Sequence, residues 1–149
     1  MKKLLYPILT AILLISLTGC FGGGAASTVK DTYNAALNQD RDYLNKVLSQ
    51  GEGYDPDDLD EIIDVLTDDV KAAKSIKNLE AKEYKQGSLN KEAVEHFNDM
   101  FDNNWALVTT KSNRDDYIQV WILQEINGDY FIVDTSGYDM EEFQEEFLK

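Results

Sequence analysis

The 149 residues carry 28 Asp and Glu against 14 Lys and Arg, with one histidine and one cysteine, for a formal charge of −14 at pH 7. So acidic a chain argues against a nucleic-acid partner, whose phosphates demand Lys and Arg, and against adsorption to anionic lipid headgroups. A single cysteine leaves no internal disulfide framework, while the many aromatic and β-branched residues of the second half argue against disorder.

Met1-Lys2-Lys3 gives a positive start, and Leu4 to Leu17 is apolar apart from Thr10 and Ser16. Fourteen helical residues rise about 21 Å, short of the ~30 Å hydrocarbon core, so residues 1–19 read as a secretory signal rather than a spanning helix. The run ends in Leu17-Thr18-Gly19-Cys20. This resembles the lipobox of bacterial lipoproteins, in which an apolar residue, a small residue and Gly precede a Cys. The resemblance implies cleavage before Cys20, diacylation of its thiol with palmitate-type chains, and an extracytoplasmic domain anchored to the cell membrane. Two acyl chains, at ~0.8 kcal/mol per buried CH₂, hold lastingly where one is marginal. The thioether also removes a lone thiol from an oxidising compartment. Cleavage takes Lys2 and Lys3 with it, moving the formal charge from −14 to −16 over the remaining 130 residues.

Residues 20–27 read as the lipidated cysteine and a flexible Gly/Ala/Ser tether, and residues 28–149 as one domain, with no repeat or second linker. Val29, Tyr33 and Ala36/Leu37 fall at helical spacing, with Ser27 or Thr28 as a candidate cap. Asp40 fits as the cap of a second short helix that turns Tyr43, Leu44, Val47 and Leu48 inward, and Gly51 and Gly53 end it. From Tyr54 a long helix is predicted, with Asp55 as cap, Pro56 in the first turn and an apolar stripe of Leu59, Ile62, Ile63, Leu66, Val70 and Ala73. Its acidic start is not a calcium loop: counted from Asp55, the sixth and twelfth positions hold Asp60 and Leu66 where an EF-hand needs Gly and Glu. Acids at the positive end of a helix dipole explain it.

A polar edge strand is predicted within 76–86, ended by Gly87. A helix opened by Ser88 or Asn90 then places Val94, Phe97 and Phe101 on one face. Strands follow at 105–111, 117–126 and 130–134, the last two joined by Asn127-Gly128, a strong hairpin signal. Gly137 is expected to end the sheet, and Asp139 to cap a terminal helix with Met140, Phe143 and Phe147 inward.

Helices first, then a helix-containing crossover and a meander of antiparallel strands, make an α+β order. TVKDTYNAALNQDRDYLNKVLS and EINGDYFIVD resemble the opening helices and closing hairpin of nuclear-transport-factor-two-like (ketosteroid-isomerase-like, cystatin-like) domains. That resemblance implies N-terminal helices packed on a curved antiparallel sheet in a cone, here with a short C-terminal helix added. Enzymes of that superfamily use Asp or His inside the conical pocket. No aspartate here matches a motif that would place it there, so no catalytic residue is assigned. His96 lies on a helix flank beside the apolar stripe and reads as a surface or boundary residue. Asp102, Asp115, Asp116, Asp129 and Asp134 fall near turns and strand ends, where solvated carboxylates are ordinary. No metal or other cofactor is expected.

A two-residue Asn127-Gly128 loop pairs Ile126 with Asp129, Leu123 with Ile132 and Ile122 with Val133. One sheet face then carries Ile118, Val120, Ile122, Phe131 and Val133, and the other Tyr117, Trp121, Leu123, Tyr130 and Ile132. A sheet wet on one side would alternate apolar and polar, whereas this one is apolar on both. Either helices cover both faces, or Tyr117, Trp121 and Tyr130 line a surface for an envelope protein or a small apolar ligand. A non-catalytic binding module is thus the leading expectation, with an enzyme of the conical-pocket type or a structural envelope component as alternatives.

Overall fold

A computed structural model describes residues 24–111 and 117–149. The signal segment, Cys20, Asp115 and Asp116 lie outside the described residues. Within them the chain forms five α-helices and one four-stranded antiparallel sheet, in the expected α+β class with a short C-terminal helix.

Helix α1 (Ala25–Asn38) starts inside the stretch expected to be tether, and its N-cap is Gly24 rather than Ser27 or Thr28. Ala25 is fully buried among core residues, so packing overrides the linker-like composition. Helix α2 (Arg41–Leu48) is capped as expected, Tyr43 N–H donating to Asp40 Oδ1 at 3.1 Å. The long helix is shorter than its sequence pattern. Asp55 caps a 3-10 turn at Pro56–Asp58, helix α3 covers Leu59–Ala72, and Lys74 at φ 65° turns the chain away. Strand β1 (Ala81–Tyr84) is a short sheet edge, and helix α4 (Lys91–Phe101) is capped by Asn90. Strands β2 (Trp105–Lys111), β3 (Tyr117–Ile126) and β4 (Asp129–Asp139) complete the sheet in the order β1-β2-β3-β4. Helix α5 (Met140–Phe147) opens on a capping box between Asp139 and Glu142, which satisfies two otherwise orphaned backbone donors.

The β3–β4 turn has Asn127 and Gly128 both at positive φ, as a tight hairpin requires. Ile126 pairs with Asp129 and Leu123 with Ile132, but Ile122 pairs with Asp134 instead of Val133. Val133 is an extra residue in β4, a bulge that shifts every later pair by one. Gly137 does not end the sheet. It pairs with Gln119 inside β4, and the Tyr117 ring occupies the place its Cβ would take. A side chain there would meet that ring unless Tyr117 moved, and β4 stays paired with β3 as far as Asp139.

Helices cover both faces of the sheet. On one side Trp121, Leu123, Val108 and Ile132 pack with Tyr33, Leu44, Leu59 and Leu66 of α1–α3. On the other, Leu107, Ile118, Ile122 and Val133 pack with Phe97 of α4 and Phe143 and Phe147 of α5. The doubly apolar hairpin is the shared wall of two cores.

Candidate functional site

Tyr117, Trp121 and Tyr130 do not form one exposed surface. Trp121 is 3% exposed, edge-on to Tyr33 at 5.5 Å between ring centroids, with Nε1 donating to Thr110 Oγ1 at 2.9 Å. Tyr117 is 39% exposed and lies over Gly137. Tyr130 is half-buried against the α1–α3 core. Burial raises its phenol pKa, and the Glu125 and Glu83 carboxylates push the same way.

Of the three, Trp121 lines a cavity. A cleft of about 420 Å³ opens between α3, with the loop before it, and the sheet. Its apolar wall comes from Leu48, Ile62, Val65 and Leu66, and Trp121 sits with Thr32 at the floor. Gln119 and Thr135, hydrogen-bonded to each other across β3 and β4, add a polar side. Asp55, Asp58, Glu61 and Asp69 supply the remaining charge, and Tyr54 stands at the edge with its hydroxyl donating to Asn45 Oδ1 at 2.6 Å. Burial raises the Tyr54 phenol pKa; the Arg41 charge lowers it and Asp55 raises it.

Behind the floor lies a buried polar group. Thr110 Oγ1 accepts the indole N–H, which can only donate, and stands 3.2 Å from Tyr33 Oη. Burial pushes the Tyr33 phenol well above its ordinary value, Thr110 partly offsets this, and Asp69 adds to it by charge and by hydrogen bonding. Asp69 therefore faces the cleft and also acts on Tyr33. From the sequence, Asp58 is expected only to face the positive end of the helix dipole, and Glu61 and Asp69 have no assigned role. The signal that could have found them is the second stripe on the helix: 58, 61/62, 65/66 and 69 follow helical spacing beside the core stripe.

A second cavity, about 360 Å³, lies on the opposite sheet face between β3, β4, α4 and α5. Phe97, Ile122 and Phe147 line it with His96, Asp134 and Glu146. His96 is exposed there, as its helical position implied, and its ring meets its neighbour Phe97 edge-on. Tyr138 Oη reaches Glu146 Oε1 at 3.5 Å, and burial with the Glu146 charge raises the phenol pKa. Asp134 accepts the Thr135 N–H, Asp129 faces Lys46 at 3.7 Å, and Asp102 ends α4 in a left-handed conformation.

Among the described residues no group of three or more His, Cys, Asp or Glu is placed to hold a metal ion, and no helix is long and apolar enough to cross a membrane. The chain matches no protein-family model, no curated protein and no solved structure.

Proposed function

We propose that this protein is a membrane-anchored extracytoplasmic bacterial lipoprotein whose domain, of nuclear-transport-factor-two-like type, binds a small ligand with an apolar body in the cleft between α3 and the sheet. The observation that carries the binding reading is the cleft itself. Its volume falls in the range of small-molecule sites, and apolar walls with a few convergent polar groups are what such sites have. Docking of an envelope protein on the aromatic sheet face has less support, because the central aromatic of that face, Trp121, is packed under α1–α3. The anchor rests on the lipobox resemblance and on the short apolar run before it.

Two measurements test the two halves of this reading. Cys20→Ser should abolish fatty-acid labelling and block cleavage before residue 20. Wild-type protein that is unlabelled, or cut elsewhere, would sink the anchor. For the cleft, octanol titrated into the full chain should bind, and Val65→Trp should weaken that binding about tenfold or more by filling the mouth. Val65 is 57% exposed, so the larger side chain has no core to disrupt. Binding indifferent to Val65→Trp would place any site elsewhere.

The rival reading, an enzyme moving a proton in the same cleft, draws on one observation: Asp69 lines the cleft and acts on the buried Tyr33 hydroxyl. Under that reading Asp69→Asn would abolish turnover of a bound ligand without preventing its binding.

A further inference from the structure

We propose that the cleft takes an amphiphilic cation, an ammonium or guanidinium head on an apolar tail, with the tail on Trp121 and the α3 wall and the head among the carboxylates of the mouth. This rests on the cleft being the binding site, as argued above, and adds the charge of its occupant.

Among the described residues, those lining the cleft include four carboxylates, Asp55, Asp58, Glu61 and Asp69, and no Lys, Arg or His. Arg41, whose charge acts on Tyr54 at the edge, has its guanidinium engaged by Asp60, outside the cleft. Asp55 Oδ1 accepts one backbone N–H, from Asp57, while the Asp58 side chain makes no capping bond although it occupies the N-cap of α3. The start of α3 contributes about half a positive charge, too little to balance the carboxylates around it. An anionic head would therefore enter against several like charges at the mouth, and a neutral head would gain only the burial of its tail. A cationic head gains from both, because Asp55, Asp58 and Glu61 are exposed and can meet it without either partner being stripped of water. The division between floor and mouth sets the shape of the ligand: Leu66 and Trp121 lie deep, while Asp55, Asp58 and Glu61 lie at the opening.

The test uses the full chain in phosphatidylcholine nanodiscs, with empty nanodiscs subtracted, and three probes of equal tail: octylammonium, octanol and octanoate. Calorimetric titration at pH 7 should rank octylammonium at least about tenfold above octanol, with octanoate weakest. Asp58→Asn with Glu61→Gln should reduce octylammonium binding about tenfold and leave octanol within about twofold. Asp57→Asn with Asp64→Asn removes the same charge from exposed positions that do not line the cleft, and should change neither. All four substitutions are on exposed side chains, and circular dichroism checks that each pair folds. If octanol binds as tightly as octylammonium, or the control pair costs as much as the cleft pair, the cationic ligand is wrong while the cleft stands. If none of the probes responds to Val65→Trp, the cleft reading fails and takes this inference with it.

Discussion

Replacing Trp121 by alanine is expected to cost the domain about 3–5 kcal/mol, in the range for removing a large aromatic from a packed core. The indole is 3% exposed, meets Tyr33 edge-on and donates its N–H to Thr110. Alanine removes all of this at once and leaves the Thr110 and Tyr33 hydroxyls around a void. Against a typical stability of about 5–15 kcal/mol, such a loss brings a domain of this size close to unfolding. Trp121→Phe separates the contributions: it keeps an aromatic ring but loses the N–H···O bond, at about 1–2 kcal/mol. Denaturant unfolding measures both. In the wild type acrylamide should quench slowly, since Trp105, the other indole, is also buried at 6% exposure. A loss under about 1 kcal/mol for alanine, with a readily quenched indole, would mean that Trp121 lies on an open surface.

Stability should also fall steeply above pH 10, and Tyr33 should account for much of the fall. Burial raises the phenol pKa of Tyr33, and raises that of Tyr43 to about 12 with the Asp31 charge adding to it. In the unfolded chain both ionise near pH 10. The folded state then holds protons that the unfolded state has released, so stability is intact below about pH 10 and declines as pH rises towards the folded values. Each such tyrosine contributes a slope of ~1.4 kcal/mol per pH unit within its window. Tyr43 is half-exposed, so its share is smaller. Tyr33→Phe should cost about 1–3 kcal/mol at pH 7, for the hydroxyl's contacts with Thr110 and Asp69, yet flatten the decline between pH 10 and 11 by roughly half. Unfolding free energies at pH 9, 10 and 11 decide it. A flat profile in the wild type, or the same slope in Tyr33→Phe, would show that the Tyr33 hydroxyl ionises normally.

What the sequence revealed of the fold was local. Asp40, Asn90 and Asp139 cap helices within three residues of themselves, and Asn127-Gly128 sets a turn by its own dihedral preference. The two-faced hairpin was legible because Asn127-Gly128 sets the pairing next to the turn and the runs on either side are rich in β-branched and aromatic residues. Three features depended on distant partners and were not. The start of α1 follows from the burial of Ala25, the length of β4 from its pairing with β3 out to Tyr117, and the bulge at Val133 from a register that no local pattern encodes. The same limit explains the site. Trp121 stood out as a residue of interest, but whether it was surface or floor turned on where α3 lies, and Asp69 looked like any solvated acid until the fold set it beside Tyr33.

The cleft is built from two kinds of position with different freedom to vary. Its floor, Thr32, Leu66 and Trp121, belongs to the main core, so a substitution there is paid in folding. Its mouth, Asp55, Asp58, Glu61 and Val65, stands in solvent on a turn and one helix face, where most substitutions shift stability by no more than about 0.5 kcal/mol. Selection can thus rewrite the entrance, its charge above all, while the scaffold beneath stays unchanged. On the proposed binding function, a lineage carrying this domain would change its ligand first along the loop before α3 and the exposed stripe of that helix, and only last at the indole.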